Sequence, residues 1–195
     1  MSSSLSQKVL DQLWFSARSH VPYTDQPIEK DVLHRLYELS ALAPTSFNTC
    51  PMRLVFIQSK EAKARLKDTL SEGNVEKTMA APVCTIVARD TQFPQSLESF
   101  NPRAAGFFAN FPGAVATTAS RNATLQGGYF IIAARAMGLA CGPMSGFDNK
   151  KLDQTFFPDG RYQSDFLCNI GYPEDKAMMP PRGDRPAFDQ ACEIL

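Results

Sequence analysis

The sequence predicts a layered domain, a sheet with helices packed around it. Three observations carry that prediction. Apolar runs of strand length stand at residues 54–57, 82–88 and 164–171. Segments whose apolar residues recur every three or four positions lie between them. One long segment, residues 115–137, is apolar on more than one side and belongs near the centre. Strands and striped helices bury their apolar faces only by stacking in layers. The order of the strands does not follow from this pattern.

In chain order, Leu5, Val9, Leu13 and Ala17 recur at helical spacing with Leu10 and Trp14 beside them, so a first helix is expected over about residues 5–18. Asp25 and Pro27 make a helix start, because proline is tolerated in the first turn. Ile28, Val32, Leu36 and Leu39 form the stripe of that second helix, and Pro44 stops it. Residues 54–57 read as a strand, and Ser59 caps a third helix to about residue 70. Residues 82–88 form a continuous apolar run, as in a strand buried on both faces.

Residues 90–113 show no clear period and read as a long loop. Its phenylalanines (Phe93, Phe100, Phe107, Phe108, Phe111) point to packing on something, with a lid over a binding site as one use. The long helix follows, and residues 142–148 read as a turn into an extended segment. Residues 164–171 form a further strand, 173–186 an arm with four prolines, and 187–195 a short terminal helix. No repeat or linker divides residues 1–195, so they are read as one domain.

Composition removes several function classes. Lys plus Arg and Asp plus Glu number 20 each, so no charge field points to nucleic acid. The longest apolar run, near residues 129–140, contains Arg135 and is too short to span a bilayer. Residues 1–5 lack a basic start followed by an apolar run, so a cytoplasmic protein with no membrane partner is expected. None of the five cysteines forms a C-x-x-C pair, and Cys84 and Cys168 read as core filling. The two histidines, His20 and His34, belong to no ligand cluster, so no metal is expected. A G-x-S-x-G elbow, a phosphate loop and a G-x-G-x-x-G after a strand are all missing, which weakens hydrolase and Rossmann readings.

What remains is the run Gly142-Pro-Met-Ser-Gly-Phe-Asp148. Glycine has no Cβ, so a flat ligand can approach the main chain there. Free N–H groups of such a turn donate to an acceptor on that ligand. A flavin ring fits. Its companions are Ala17-Arg-Ser-His20, Ala43-Pro-Thr-Ser-Phe-Asn48, residues 71–77, Arg121-Asn122, Gly138-Leu139 and Asn169-Ile-Gly-Tyr172. Together, in order along the chain, these stretches resemble the nitroreductase family of FMN-dependent oxidoreductases. The branch they resemble most is the malonic semialdehyde reductase type of uracil degradation.

The resemblance implies an α+β fold with a mainly antiparallel central sheet flanked by helices, an intertwined homodimer and two FMN sites at its interface. It implies that Arg18 contacts the FMN phosphate beside His20; without the resemblance, chemistry favours Arg18 as a cation at a helix C-terminus. It implies that Thr45, Ser46 and Asn48 reach the flavin of the other subunit; by composition they are a polar loop after Pro44. Asn74 and Lys77 match a pair near the pyrimidine edge, where a cation favours reduced flavin; the plain alternative is a solvated lysine on a helix.

Ser145 and Gly146 match the turn beside flavin N5, where many relatives carry glutamate in place of the serine. Arg182 matches a C-terminal arginine that closes over the phosphate, with Arg185 as the alternative. Many members carry a lysine or arginine where this chain has Pro22. The implied activity is hydride transfer from NADH or NADPH through flavin N5 to a small acceptor, malonic semialdehyde giving 3-hydroxypropionate, or nitroaromatics and quinones. The protein then supplies position and electrostatics and needs no nucleophile of its own. Arg103 and Phe108 are candidate substrate contacts in the aromatic segment. A non-catalytic flavin reservoir or sensor is the alternative of a different class.

Overall fold

The computed structural model describes residues 4–19, 22–174, 179 and 181–195. Strands β1 (Met52–Ile57), β2 (Val83–Asp90), β3 (Ala140–Met144) and β4 (Tyr162–Gly171) form one sheet in the order β1-β2-β4-β3. Every neighbouring pair is antiparallel. The sequence Val-Cys-Thr-Ile-Val-Ala explains the inner place of β2, because all six residues are fully buried.

Helices cover both faces. On one face, Val83, Cys168 and Ile170 meet Leu33 and Leu36 of α2 (Lys30–Ala41) and Phe130 and Ala134 of α7 (Gly113–Ala136). On the other, Cys84, Ile86 and Leu167 meet Leu66 of α3 (Lys60–Lys67) and Leu152 of α8 (Asn149–Phe156). The chain is therefore α+β with an antiparallel sheet, as expected. Ser59 does cap α3, its hydroxyl accepting from Ala62 N–H at 3.2 Å.

Small residues let α7 lie close to the sheet. A Cβ built on Gly127 would come within 2.6 Å of Phe166 Cε1. The buried thiols behave as core: burial pushes Cys84 up to about 12, and Cys168 is raised by its hydrogen bond with Cys141 and by burial.

Several boundaries differ from the sequence reading. The expected loop at 90–113 is two helices, α5 (Phe93–Leu97) and α6 (Pro102–Asn110), packed on each other through Phe93, Leu97 and Phe108. Their start was legible: Asn101 accepts from Ala104 N–H at 3.2 Å, with Pro102 at the first helical position. Residues 140–144 are an edge strand rather than a turn, because Pro143 offers no N–H and fits only an edge.

The first helix is shorter, α1 (Gln7–Leu10), and continues as a π-helix over Asp11–Phe15 closed by Ser16 N–H to the Asp11 carbonyl at 2.7 Å. Helix α4 (Glu72–Ala80) carries Lys77, as the plain alternative for that lysine has it; α8 has no counterpart in the sequence reading, and the last helix, α9, spans only Phe188–Ala191. Part of the proline-rich arm lies outside the described residues.

Candidate cofactor site

The outer edge of β3 carries two sets of functional groups, one at each end. At its beginning, Ser19 bridges to Cys141 and brings Arg18 to the edge. A cavity of about 250 Å³ opens there, lined by Arg18, Arg135, Arg182 and Arg185 with Ala17, Ser19 and Gly183. A second cavity of about 370 Å³ shares Ala17, Arg18 and Arg135 with it and adds Lys8. None of the described lining residues of either cavity is acidic. Such a concentration of guanidinium groups suits a dianion such as a phosphate monoester.

Local structure sets these arginines. Arg182 Nη2 donates to the carbonyls of Trp14, Phe15 and Ala17 at 2.9, 3.0 and 2.6 Å. It thereby straps the C-terminal segment to the end of the π-helix, where carbonyls lack partners. Arg135 Nη1 donates to Leu13 O at 3.1 Å from the last turn of α7. His20 lies outside the described residues.

Beyond the end of β3, the turn at Ser145 and Gly146 packs against the start of α4. Ser71 N–H and Asn74 Nδ2 both donate to the Gly146 carbonyl, at 3.0 and 2.7 Å. A Cβ on Gly146 would collide with Asn74 Nδ2, so glycine is required by this close approach. Ser145 is exposed, and Asn74 and Lys77 are half-buried. Asn169 Nδ2 holds α4 from beneath, donating to Thr78 Oγ1 at 3.1 Å and Lys77 O at 3.4 Å. The motif glycine Gly171 is equally forced, since a Cβ there would meet Tyr23 and Pro82 within 2.8 Å.

The two ends of this edge, Ala140 and Met144, are four residues apart, about 13 Å at strand rise, with the turn just beyond. A cation cavity at one end and an amide-rich turn at the other match an elongated ligand with a phosphate and a flat ring. The residues present therefore fit FMN.

Thr45, Ser46 and Asn48 are elsewhere. They precede β1, at the other edge of the sheet and its opposite end, since Met52 pairs with Arg89 while Cys141 pairs with Ile170. Three strand spacings across and six residues along put Met52 about 25 Å from Cys141, the strand residues that adjoin the two groups.

Their segment is strained and heavily held. Phe47, Asn48 and Cys50 have φ of 53°, 54° and 41°. Asn122 Oδ1 accepts from Ser46 N–H at 2.8 Å, and Gln126 Oε1 accepts from Met52 N–H at 3.0 Å. Asn101 Nδ2 donates to Phe47 O at 2.9 Å. Non-glycine residues persist at such φ only where surrounding contacts over-determine them, and they gather at functional sites. Asn122 belongs to one of the motifs; Gln126 and Asn101 carry no signal in the sequence, and that of Arg135 is only a charge in an apolar run, because nothing local marks a side chain's distant partner.

Phe47 also meets the aromatic helix. Its ring stacks on Phe107 at 5.2 Å between centroids, and Phe107 lies 5.0 Å from Phe111. These three rings are exposed. Phe108 is only 3% exposed and packs edge-on to Phe93 at 4.9 Å, so it supports the exposed rings from behind. Arg103 is exposed in the first turn of α6.

A sequence model described as "Nitroreductase family" matches residues 16–172. The chain belongs to the nitroreductase family. This nitroreductase-family chain is 50% identical over 198 residues to a Rhodopseudomonas palustris (strain TIE-1) protein named "Putative NADH dehydrogenase/NAD(P)H nitroreductase", covering 100% of both. It is 49% identical to a Burkholderia lata protein of the same designation, covering 98% of this chain and 99% of that one.

Among solved structures, the Bacillus subtilis chain ydfN superposes with a TM-score of 0.85 at 23% identity, covering 97% of this chain and 100% of that one. A chain from Exiguobacterium sibiricum 255-15, described as a "putative nitroreductase in complex with FMN", gives 0.83 at 21% identity, covering 100% and 99%. At these identities the structural likeness concerns the fold. Among the described residues no cluster of His, Cys, Asp or Glu is placed to hold a metal ion, and no helix is long and apolar enough to cross a membrane.

Proposed function

We propose that this chain is an FMN-dependent NAD(P)H oxidoreductase that works as a homodimer on a small acceptor. The observation that carries the reading is the edge of β3, with four arginines around a cavity at one end and the Asn74–Gly146 turn at the other. The names of the curated relatives and the FMN complex of one fold neighbour support it.

Bound there, FMN supplies the hydride relay from NADH or NADPH to the acceptor. Arg18 and its neighbouring arginines neutralise the phosphate, with either Arg182 or Arg185 closing over it. Arg182 also ties the C-terminal segment to the end of the π-helix. Asn74, held against Gly146 O, orients its amide at the ring's polar edge. Lys77 places a cation where negative charge accumulates on reduction. Ser145 and Gly146 present main-chain groups beside the reacting face.

Two observations support the homodimer. Residues 45–48 lie too far from Arg18 to share a flavin with it in one chain, so a second copy brings them there. Apolar side chains also stand uncovered: Leu125 and Tyr129 on α7, and Phe188, Ile194 and Leu195 in a C-terminal segment exposed throughout residues 181–195. We assign the acceptor site to the adjoining rings of Phe47, Phe107 and Phe111, which exclude water and take flat acceptors such as quinones and nitroaromatics. Arg103 is the candidate partner for the carboxylate of malonic semialdehyde, whose aldehyde takes up a hydride and a proton to give 3-hydroxypropionate. The same reading takes the cytoplasm as the compartment in which the chain works.

The test is anaerobic addition of NADH, then NADPH, to the purified protein. Bleaching of the yellow flavin, reversed by a quinone, nitroaromatic or semialdehyde, is the expected result. A yellow protein that neither nucleotide bleaches is a flavin reservoir or sensor, and a colourless protein that takes up no FMN overturns the reading altogether.

A further inference from the structure

The segment at residues 45–50 ends beside a buried carboxylate, gripped by two half-buried arginines, that the proposed chemistry does not use. Asp90 closes β2 with a fully buried side chain. Arg161 grips its carboxylate from β4's approach, Nε to Oδ1 at 3.1 Å and Nη2 to Oδ2 at 2.8 Å. Arg53 reaches the same Oδ2 from β1 at 2.8 Å. Burial alone would raise the Asp90 carboxyl, but the Arg161 hydrogen bonds, the Gln92 N–H and the two guanidinium charges outweigh it and hold the group below the usual carboxylate range.

The two arginines are not equivalent. Arg161 spends its fork on the carboxylate alone. Arg53 turns Nη1 the other way, donating to Cys50 O at 3.0 Å and Met52 O at 2.9 Å. Cys50 is the last of the three left-handed residues, and its N–H donates to Thr45 Oγ1 at 3.2 Å while its thiol donates to Asn48 Oδ1 at 3.3 Å. One guanidinium thus joins the most deeply buried carboxylate at this end of the sheet to the residue that ties Thr45 and Asn48 together.

We infer that Arg53 is a positioning residue for the cofactor site, locking residues 45–50 in the left-handed shape that presents Thr45, Ser46 and Asn48 to the partner's flavin. This rests on the reading that these residues touch FMN. Arg161 supplies the internal control, because it shares Asp90 but touches no carbonyl of the segment. Lysine at 53 keeps a charge for Asp90 yet lacks the planar fork that spans the carboxylate and two carbonyls.

The experiment compares Arg53→Met, Arg53→Lys and Arg161→Met as purified holoproteins in a Cys192→Ser background. Cys84, Cys141 and Cys168 are fully buried, so thiol labelling reads Cys50. Both methionine variants should lose thermal stability. Only the Arg53 variants should label Cys50 several-fold faster and bind FMN about tenfold more weakly, the loss of roughly one charge-assisted contact's effect. Arg53→Lys should recover stability without recovering FMN affinity, and it carries the test if Arg53→Met does not fold. Equal labelling and equal FMN affinity across the Arg53 and Arg161 variants overturn the inference. Asn48→Ala separates the two layers: if it leaves FMN affinity unchanged, contact of this segment with flavin is wrong, and the positioning role falls with it whatever the labelling shows.

Discussion

Gly146→Ala tests how the turn beyond β3 is built. The new Cβ would overlap Asn74 Nδ2, so the amide must swing away and give up its 2.7 Å bond to the Gly146 carbonyl. That carbonyl keeps the Ser71 N–H at 3.0 Å and is not orphaned. The loss is therefore one part-buried neutral hydrogen bond, about 1 kcal/mol. For a chain of this size that lowers Tm by about 2–4 °C. Asn74→Ala removes the same bond from the other side and should cost about the same. The double variant should then cost about 1 kcal/mol rather than 2, a coupling of about 1 kcal/mol, because the bond can be lost only once and the collision is gone. The assay is urea unfolding of the four proteins, with FMN titration alongside. Additive losses would refute the argument, since they would mean that Gly146 is needed for a reason other than room for Asn74. All three variants should also bind FMN more weakly than the parent, with the double variant no worse than Asn74→Ala.

Arg18→Ala should weaken FMN binding at least about tenfold, from roughly 1.5–3 kcal/mol for a charge-assisted contact, while circular dichroism stays unchanged; full flavin retention after dialysis speaks against the phosphate role. The Asp90 carboxyl is lower in the folded protein, so its stabilising share is complete above the unfolded value of about 4 and is lost as pH falls through the folded one. Asp90→Asn lacks that share, so the stability gap between variant and parent should narrow as pH falls below about 4, and a gap that stays constant contradicts the clamp. Phe107→Ala should raise KM for a quinone more than for a short semialdehyde, whereas Arg103→Ala should do the reverse, since only the semialdehyde offers a carboxylate. Equal changes for both acceptors would remove Arg103 from the site.

By itself the sequence determined the elements whose signal is local. The buried strand at 82–88, the capped start of α3 and the long helix were legible because continuous apolar runs, a serine cap and apolar recurrence each act within a few residues. The helices at 93–110 were hidden by density of phenylalanine and proline, although Asn101-Pro102 announces one of them. The family was also legible, as ordered short motifs.

What the motifs meant physically was decided only by tertiary structure. Gly146 and Gly171 are glycines because Asn74 and Tyr23 approach them from 72 and 148 residues away in sequence, and no periodicity encodes a distant neighbour. Arg18 and Arg182 become one site because a strap of hydrogen bonds joins the two ends of the chain. The register of β1 on β2 and of β3 on β4 puts residues 45–48 and Arg18 at opposite corners of the sheet, the geometry on which the proposed homodimer rests. Local propensities act over a few residues and leave a trace in the sequence. Register, close approach and the gathering of charges depend on how whole layers pack, and they exist only once the chain has folded.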